Sequence, residues 1–419
     1  MASMLPSPIA ALIRQRAEGR TLPADLYRRA DVFEADCDVF FEGLWVLVGV
    51  AADVPKPGDV FVEEVGRASV IVTRGEDGLV RAFHNVCRHR GARLREQGKG
   101  SAKRIVCPYH RWTYRLNGAL MRAPHMGSDF DASCNGLRSV HLRDVGGLLF
   151  VCLSEEPPSD FAALEAAMAA RLAPFDLAHA KIAFESEIVE DGNWKLTIEN
   201  NRECYHCAGA HPELSNTFLP QDFGYDPAEL PADERAEFEA HRVEFERRTD
   251  AWEEAGFASR GIDHLSGHVT NFRTQRLMMG PGGKARSATM NGEPACRVAL
   301  GELAGADVGD LHLWTHQSWH HYMGDHAVVS TIFPLEAGRT RVRTLWLVNE
   351  KAVEGVDYDL KTLTEVWRAT NAQDAALVAL AHKGAGSPGY APGPYSRFTE
   401  RHLDDFATWY GQRMIAAGF

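Results

Sequence analysis

Between Trp45 and about Leu153 the apolar positions come in short β-branched or aromatic runs. "WVLVGVA", "GDVFVEEV", "SVIVTR", "VRAFHNV", "RIVCPY", "TYRLNG" and "GGLLFVCL" are punctuated by Gly, Pro, Asp or Asn. This texture predicts a small antiparallel β domain. Outside it the period lengthens. Residues 8–44 have helical spacing with a turn at "LPADLY", and "AALEAAMAARLAPF" reads as a helix at a boundary. "KIAFESEIVE" reads as a strand. "GNWKLTIENNRECYHCAGAHPEL" reads as a helix ending near His206, with Pro212 beyond it. Residues 228–256 predict a charge-rich helix with a solvated face. Strands are expected at "SATMNG", "LHLWTHQSW", "HAVVSTIFPL" and "TRVRTLWLVN". A long amphipathic helix from Leu360 to about Ala381, a Gly/Pro-rich loop and a terminal helix complete the chain. The expected class is α+β. Residues 1–44 form a helical segment that packs on the later domain, 45–158 the small β domain, and 159–419 a larger domain with a central antiparallel sheet.

Composition narrows the function classes. Of 419 residues, 45% are hydrophobic and 24% charged, which suits a globular protein with sizeable cores. The formal net charge of −12 argues against a nucleic-acid partner. It leaves an acidic surface that tolerates a cationic ligand. No apolar run approaches the ~20 residues that span a bilayer. The short apolar stretch near the N-terminus has no basic segment before it, so no secretory signal is expected and a cytoplasmic location is the default. Eight Cys are too few for a disulfide scaffold. Cys37, Cys134, Cys152 and Cys296 stand alone and read as small buried hydrophobes.

The remaining four Cys sit beside His. Cys87-x-His89 is followed, seventeen residues on, by Cys107-x-x-His110. Zinc fingers usually pair Cys with Cys and His with His. Here each half carries one of each. A [2Fe–2S] cluster with two thiolates on one iron and two imidazoles on the other requires that composition. The motif resembles the Rieske type. Arg88, Arg90 and Arg111 flank it, either for solubility or to dock an acidic redox partner.

An electron-transfer domain needs no further 260 residues, so a second site is expected. His206 and His211 are five apart, which works for two ligands if the first ends a helix and the second lies on the following turn. Two imidazoles and a carboxylate on one face of a metal form the triad of non-heme Fe(II) oxygenases, leaving positions open for dioxygen. The carboxylate should come from far along the chain. Asp374, on the long helix, is the candidate.

Over nearly its whole length the chain resembles the oxygenase (alpha) component of Rieske non-heme iron oxygenases. That family's second motif is Asp/Glu-x-x-His-x4-His with a late carboxylate, and "ECYHCAGAH" and "NAQD" match it at Glu203, His206, His211 and Asp374. The resemblance implies a small Rieske [2Fe–2S] domain before a helix-grip-like catalytic domain with mononuclear iron. It also implies dioxygen as co-substrate and NAD(P)H electrons through a flavin/iron–sulfur reductase. Subunits are expected to close into a homotrimer, with electrons crossing from His110 of one to Glu203 and His206 of the next. A ligating His commonly gives its second N–H to a carboxylate. Many relatives have Asp where this chain has Glu203, and Glu199, four residues earlier, is a rival. Cys204 and Cys207 are expected only to pack about His206. Asn200 is placed at the iron's open face.

"NWKLTIENNRECYHC", "SWHHYMGDH", "AVEGVDYD" and "PGPYS" are most similar to glycine betaine and proline betaine (stachydrine) demethylases. This implies hydroxylation of an N-methyl group and release of formaldehyde. Aromatic ring hydroxylation and a stand-alone Rieske electron carrier are the alternatives. A quaternary ammonium is held by aromatic faces. Trp314, Trp319, Tyr322, Phe333 and Trp346 are the candidate cage. His320, His321 and His326 about Asp325 form either a carboxylate anchor or a turn network.

Overall fold

The computed structural model describes residues 7–219, 228 and 230–419, so the first six positions of the expected N-terminal segment lie outside the described residues. The chain divides into two compact units, Phe40–Pro158 and a larger one in which Met1–Val39 joins Ser159–Phe419. The boundary falls at residue 40 rather than 45, because Phe40 and Phe41 belong to a helical turn running towards the strand Val46–Val50.

The smaller unit has a seven-stranded antiparallel sheet in the order Val46–Val50, Leu148–Cys152, Ser139–Val145, Val80–His84, Ala68–Arg74, Asp59–Val65 and Gly98–Ser101. A three-stranded sheet, Ile105–Val106, Thr113–Tyr114 and Leu120–Arg122, lies in the same unit. Val60, Val62, Ile71, Phe83 and Leu116 pack into one core with Cys87, Cys107, Trp112 and Tyr114. Two cysteine loops are thereby anchored in the hydrophobic interior.

The larger unit is built on another seven-stranded antiparallel sheet. Its order is Ala180–Glu190, Arg339–Asn349, Ala327–Glu336, Ser318–Tyr322, Asp310–Thr315, Phe272–Leu277 and Ile262–His264. Every residue of Asp310–Thr315 and Ser318–Tyr322 is buried, so both faces of the sheet's middle are covered. Partners directly opposite share a face, and successive residues alternate. His312, Trp314, Trp319, His321, Val328, Ser330, Thr344 and Trp346 are linked by pairing and belong to one face. The long helix Leu360–Ala385 covers that face. Trp367 lies 4.3 Å from His321 between ring centroids, and Asn371 Nδ2 donates to Thr344 Oγ1 at 3.0 Å. Leu311, His320 and Tyr322 take the opposite face, where Tyr322 meets Phe175 at 5.7 Å.

Several sequence expectations fail locally, and Cys134, expected to be buried, is exposed. "SATMNG" forms no strand: Ser287 N–H donates to the Gly292 carbonyl, and Gly292 closes the turn with a φ of +74°, which favours glycine. The helix before the His pair ends at Asn201, five residues early. Arg202 ends it by turning its guanidinium inward, where it donates to Asn271 Oδ1 and the Thr315 carbonyl and lies 4.9 Å from the Phe406 ring.

Candidate metal centres and the substrate face

In the smaller unit, Cys87–Ala92 and Cys107–Trp112 fold alike. Cys87 N–H donates to the Ala92 carbonyl and Cys107 N–H to the Trp112 carbonyl, both at 2.8 Å. The N–H groups of Gly91 and Arg111 return to the carbonyls of Cys87 and Cys107. Both fifth positions are left-handed, Gly91 with φ 72° and Arg111 with φ 61°. Arg111 holds a backbone state costing a side-chain-bearing residue about 1–2 kcal/mol. The loops bring the rings of His89 and His110 to 4.7 Å and bury both thiols. Tyr114 OH lies 3.3 Å from Cys87 Sγ and accepts from Arg88 N–H, and His89 stacks on Trp112 at 4.9 Å. Two thiols and two imidazoles converging from paired loops fit a Rieske cluster, whose charge would replace the thiol protons.

In the larger unit, the helix Trp194–Asn201 and the long helix lie together through Gly192, where a Cβ would come within 2.4 Å of Val378 Cγ1. Asp374 Oδ1 lies 3.0 Å from His211 Nε2 and 3.4 Å from His206 Nε2. Asn200 Nδ2 donates to the same oxygen at 2.6 Å. Burial pushes the Asp374 carboxyl up, but hydrogen bonds from His206, His211 and Asn200 outweigh it and hold the group below its usual range. His206 is driven to about 9: burial lowers it, and the carboxylates of Asp374 and Glu203 more than reverse that. The two carboxylates therefore favour a cation beside the imidazoles, which suits a divalent metal.

Each imidazole is oriented from behind. His206 Nδ1 meets Glu203 Oε1 at 2.5 Å, and His211 Nδ1 meets Gln373 Oε1 at 2.8 Å. Gln373 in turn donates to Glu213 Oε2 at 2.9 Å. Sequence reasoning missed Gln373, although it adjoins Asp374. Glu203 and His206 meet across a turn, not along a helical face. Glu203 also accepts from Tyr205 N–H. Glu199 is a helix partner elsewhere: both of its oxygens accept from Tyr27 OH at 3.0 Å. Cys204 and Cys207 are joined in a disulfide, with Cα atoms 4.9 Å apart, so they clasp the turn rather than merely pack around it. Asp160, His264 and His268 make a second donor group. There the imidazoles stack at 3.5 Å and 24°, so their in-plane lone pairs run side by side, and the Asp160 carboxylate clasps the backbone N–H groups of Val269 and Thr270.

The five candidate cage aromatics do not share one face. Trp314, Trp319 and Trp346 lie on the side of the long helix. Tyr322 and Phe333 lie on the other, because strand parity separates them: Tyr322 pairs with Leu311, and Phe333 with Arg341, whose guanidinium covers its ring at 4.4 Å. Trp314 already receives Arg202 and Arg273 at 5.8 and 5.2 Å. The aromatics on the face under the long helix that spacing could not reveal are Phe218 and Trp367, 5.6 Å apart and both beside His321. Ser330, Thr344 and Asn371 form a polar chain on the same face.

Residues 177–416 match the family described as ring hydroxylating alpha subunit (catalytic domain), and 44–141 match the Rieske [2Fe–2S] domain. The glycine betaine monooxygenase oxygenase subunit of Chromohalobacter salexigens is 42% identical, covering 99% of this chain and 92% of that protein. The subunit of the same description from Pseudomonas aeruginosa is 41% identical over 97% and 92%. Among solved structures, a quaternary ammonium Rieske monooxygenase, described for carnitine oxidation and inter-subunit electron transfer, superposes with a TM-score of 0.68 at 21% identity, covering 99% of each chain. No helix among the described residues is long and apolar enough to cross a membrane.

Proposed function

The chain belongs to the ring-hydroxylating alpha subunits of Rieske oxygenases, oxidoreductases with a [2Fe–2S] cluster and a mononuclear iron, and on that premise we propose that it removes an N-methyl group from a betaine. The observation that carries the substrate class is the 42% identity, over nearly the whole of both chains, to a glycine betaine monooxygenase subunit. The polar lining of the metal-side face, His321, Ser330, Thr344 and Asn371, suits a zwitterion better than an arene.

Cys87, His89, Cys107 and His110 would hold the cluster, and His206, His211 and Asp374 the iron. When bound, these groups would supply the redox chemistry: two electrons drawn from NAD(P)H by a flavin/iron–sulfur reductase, with two protons, take one atom of dioxygen to water while the other enters an N-methyl C–H bond. Asn200 holds the Asp374 oxygen in place, and Gln373 fixes the orientation of His211. The sheet and the long helix exclude water and direct the methyl group towards the open side of the triad. The hydroxymethyl ammonium product then loses its O–H proton as the C–N bond breaks, giving the tertiary amine and formaldehyde.

Glu203 sits beside Tyr205, which is 66% exposed, so the carboxylate that orients His206 is near the surface. In this reading it faces His110 of a neighbouring subunit in a homotrimer, and electrons cross there. Dependence on NAD(P)H supports a cytoplasmic location. The test supplies the purified holoenzyme, with reductase, with glycine betaine, proline betaine, carnitine and arenes. Formaldehyde in step with NAD(P)H oxidation is expected from a betaine. A cis-diol from an arene, with no formaldehyde from any betaine, would sink the proposal.

A further inference from the structure

The three histidines of "SWHHYMGDH" separate into different environments. His326 pairs with Asp325, whose carboxylate also takes Ser287 OH and the N–H groups of Ala295 and Cys296. That is a turn network. His320 lies on the far face with both nitrogens engaged, by Tyr322 OH at 2.6 Å and Ser318 Oγ at 2.8 Å. His321 alone belongs to the face under the long helix. It is 2% exposed, and its Nδ1 meets Asp310 Oδ2 at 2.6 Å. Asp310 is fully buried, and its other oxygen accepts from Tyr322 N–H at 3.0 Å. Its commitments are thus local and fixed. Among the described residues no hydrogen-bond partner meets His321 Nε2. The ring is walled by Trp367 at 4.3 Å, Phe218 at 5.0 Å and His312 at 4.8 Å. Burial and the neighbouring His321 push His312 far below the usual imidazole range, so it brings no charge.

The spacing along the long helix sets the scale. Trp367 precedes Asp374 by seven residues, two turns on one stripe, or about 10 Å at 1.5 Å per residue. A betaine's carboxylate oxygen and N-methyl carbon are separated by four bonds, about 5 Å. With the methyl group placed about 3–3.5 Å from the reacting atom, the carboxylate falls near the far end of that span. The ammonium would then lie against the aromatic walls. Resting on the betaine reading above, we propose that His321, held by Asp310, receives the substrate carboxylate at Nε2 and so selects quaternary ammonium compounds that carry one. His321 then bridges Asp310 through Nδ1 and the ligand through Nε2. A site built around such a donor binds a neutral-ended analogue poorly, because the donor is left unpaired.

The test is His321→Asn, whose amide nitrogen can replace Nδ1 towards Asp310 while removing the Nε2 arm. The oxidised holoenzyme is titrated calorimetrically with glycine betaine and with choline, which keeps the ammonium and lacks the carboxylate. Expected is a loss of about tenfold or more in betaine affinity, unchanged choline binding, and unchanged iron content and cluster spectrum. An unchanged betaine-to-choline ratio overturns the anchor. Should His321→Asn lose its metals, Asp310→Asn decides by the same ratio. Formaldehyde release by the wild type reports separately on the reaction. If the wild type releases it from glycine betaine while the variants keep the ratio, only the anchor falls. If the wild type neither binds nor converts glycine betaine, proline betaine or carnitine, the betaine reading falls and takes the anchor with it.

Discussion

His206 is oriented by one carboxylate and shares its other nitrogen's surroundings with a second, and the two carboxylates have different jobs. In the proposed site Asp374 would supply a donor atom, so Asp374→Ala should empty the mononuclear site. Iron analysis should then fall from about three per chain to about two, with the visible spectrum of the cluster intact. A third iron that stays would place the ligand elsewhere. Glu203 touches the ring only from behind. Glu203→Gln should keep all the iron and slow turnover by roughly 10–100-fold, the usual penalty for disturbing such a partner. Turnover at the wild-type rate would reject the relay. At this scale the candidate ligands with local spacing could be picked out in the sequence: Cys87 to His110 and Glu203 to His211 each span one short segment, whereas Asp374 was placed by resemblance. Gln373 and Asp310 could not be picked out, because an orienting partner is defined by burial and proximity in space. Neither has a motif.

The short helix that leads into the ligand turn is fixed by buried polar contacts more than by apolar ones. Lys195 pairs with Asp36, which also accepts from Trp194 Nε1 and Tyr410 OH, and Glu199 receives Tyr27 OH. Thus the helix is tied to the N-terminal helices and to the C-terminal one. Burial raises the Glu199 carboxyl from 4.5 to about 7, despite the favourable Tyr27 and Lys195 contacts. Between those two pH values the folded chain holds a proton the unfolded chain has lost, so this group's contribution to stability falls as pH rises. Glu199→Gln should remove that slope. Denaturant titrations at pH 5 and 8 should show the variant gaining on the wild type by up to about 3 kcal/mol at the higher pH. A constant difference would mean that the carboxyl titrates normally. Periodicity found this helix but not its end, since polar and apolar residues continue in helical register past Asn201. What stops it is Arg202 reaching Asn271 and Thr315. "LHLWTHQSW" was read as one strand and is two, joined through His316 and Gln317, because a tight turn between buried strands needs no glycine or proline signal.

Across the whole molecule, charge is divided unevenly. Residues 86–126, which carry the cluster loops, include ten Lys or Arg and one Asp or Glu, although the chain as a whole is at −12. A collar of that sign should steer an acidic electron donor towards the cluster. With reductase limiting, kcat/KM for reductase should therefore fall by about tenfold or more as NaCl is raised. Betaine affinity, set inside the larger unit, should change far less. A salt-insensitive reductase dependence would remove the collar from the pathway. The change of hydrophobic period near Trp45 and Leu153 lies a few residues inside the ends of the smaller unit, Phe40–Pro158. The strand order was not readable, since neighbours such as Ala180–Glu190 and Arg339–Asn349 are far apart in sequence.

The clasp between Cys204 and Cys207 bears on how the enzyme is assembled. Closing so small a ring removes freedom from the unfolded chain worth about 2 kcal/mol. The turn bearing His206 is thus shaped before any iron arrives. Metallation becomes the filling of a mould rather than the drawing together of loose arms, and the metal can be a late arrival in the enzyme's life. Chelator-stripped protein should accordingly take up iron more readily with the pair closed than after dithiothreitol, with alkylation mass spectrometry reporting the state of the two thiols.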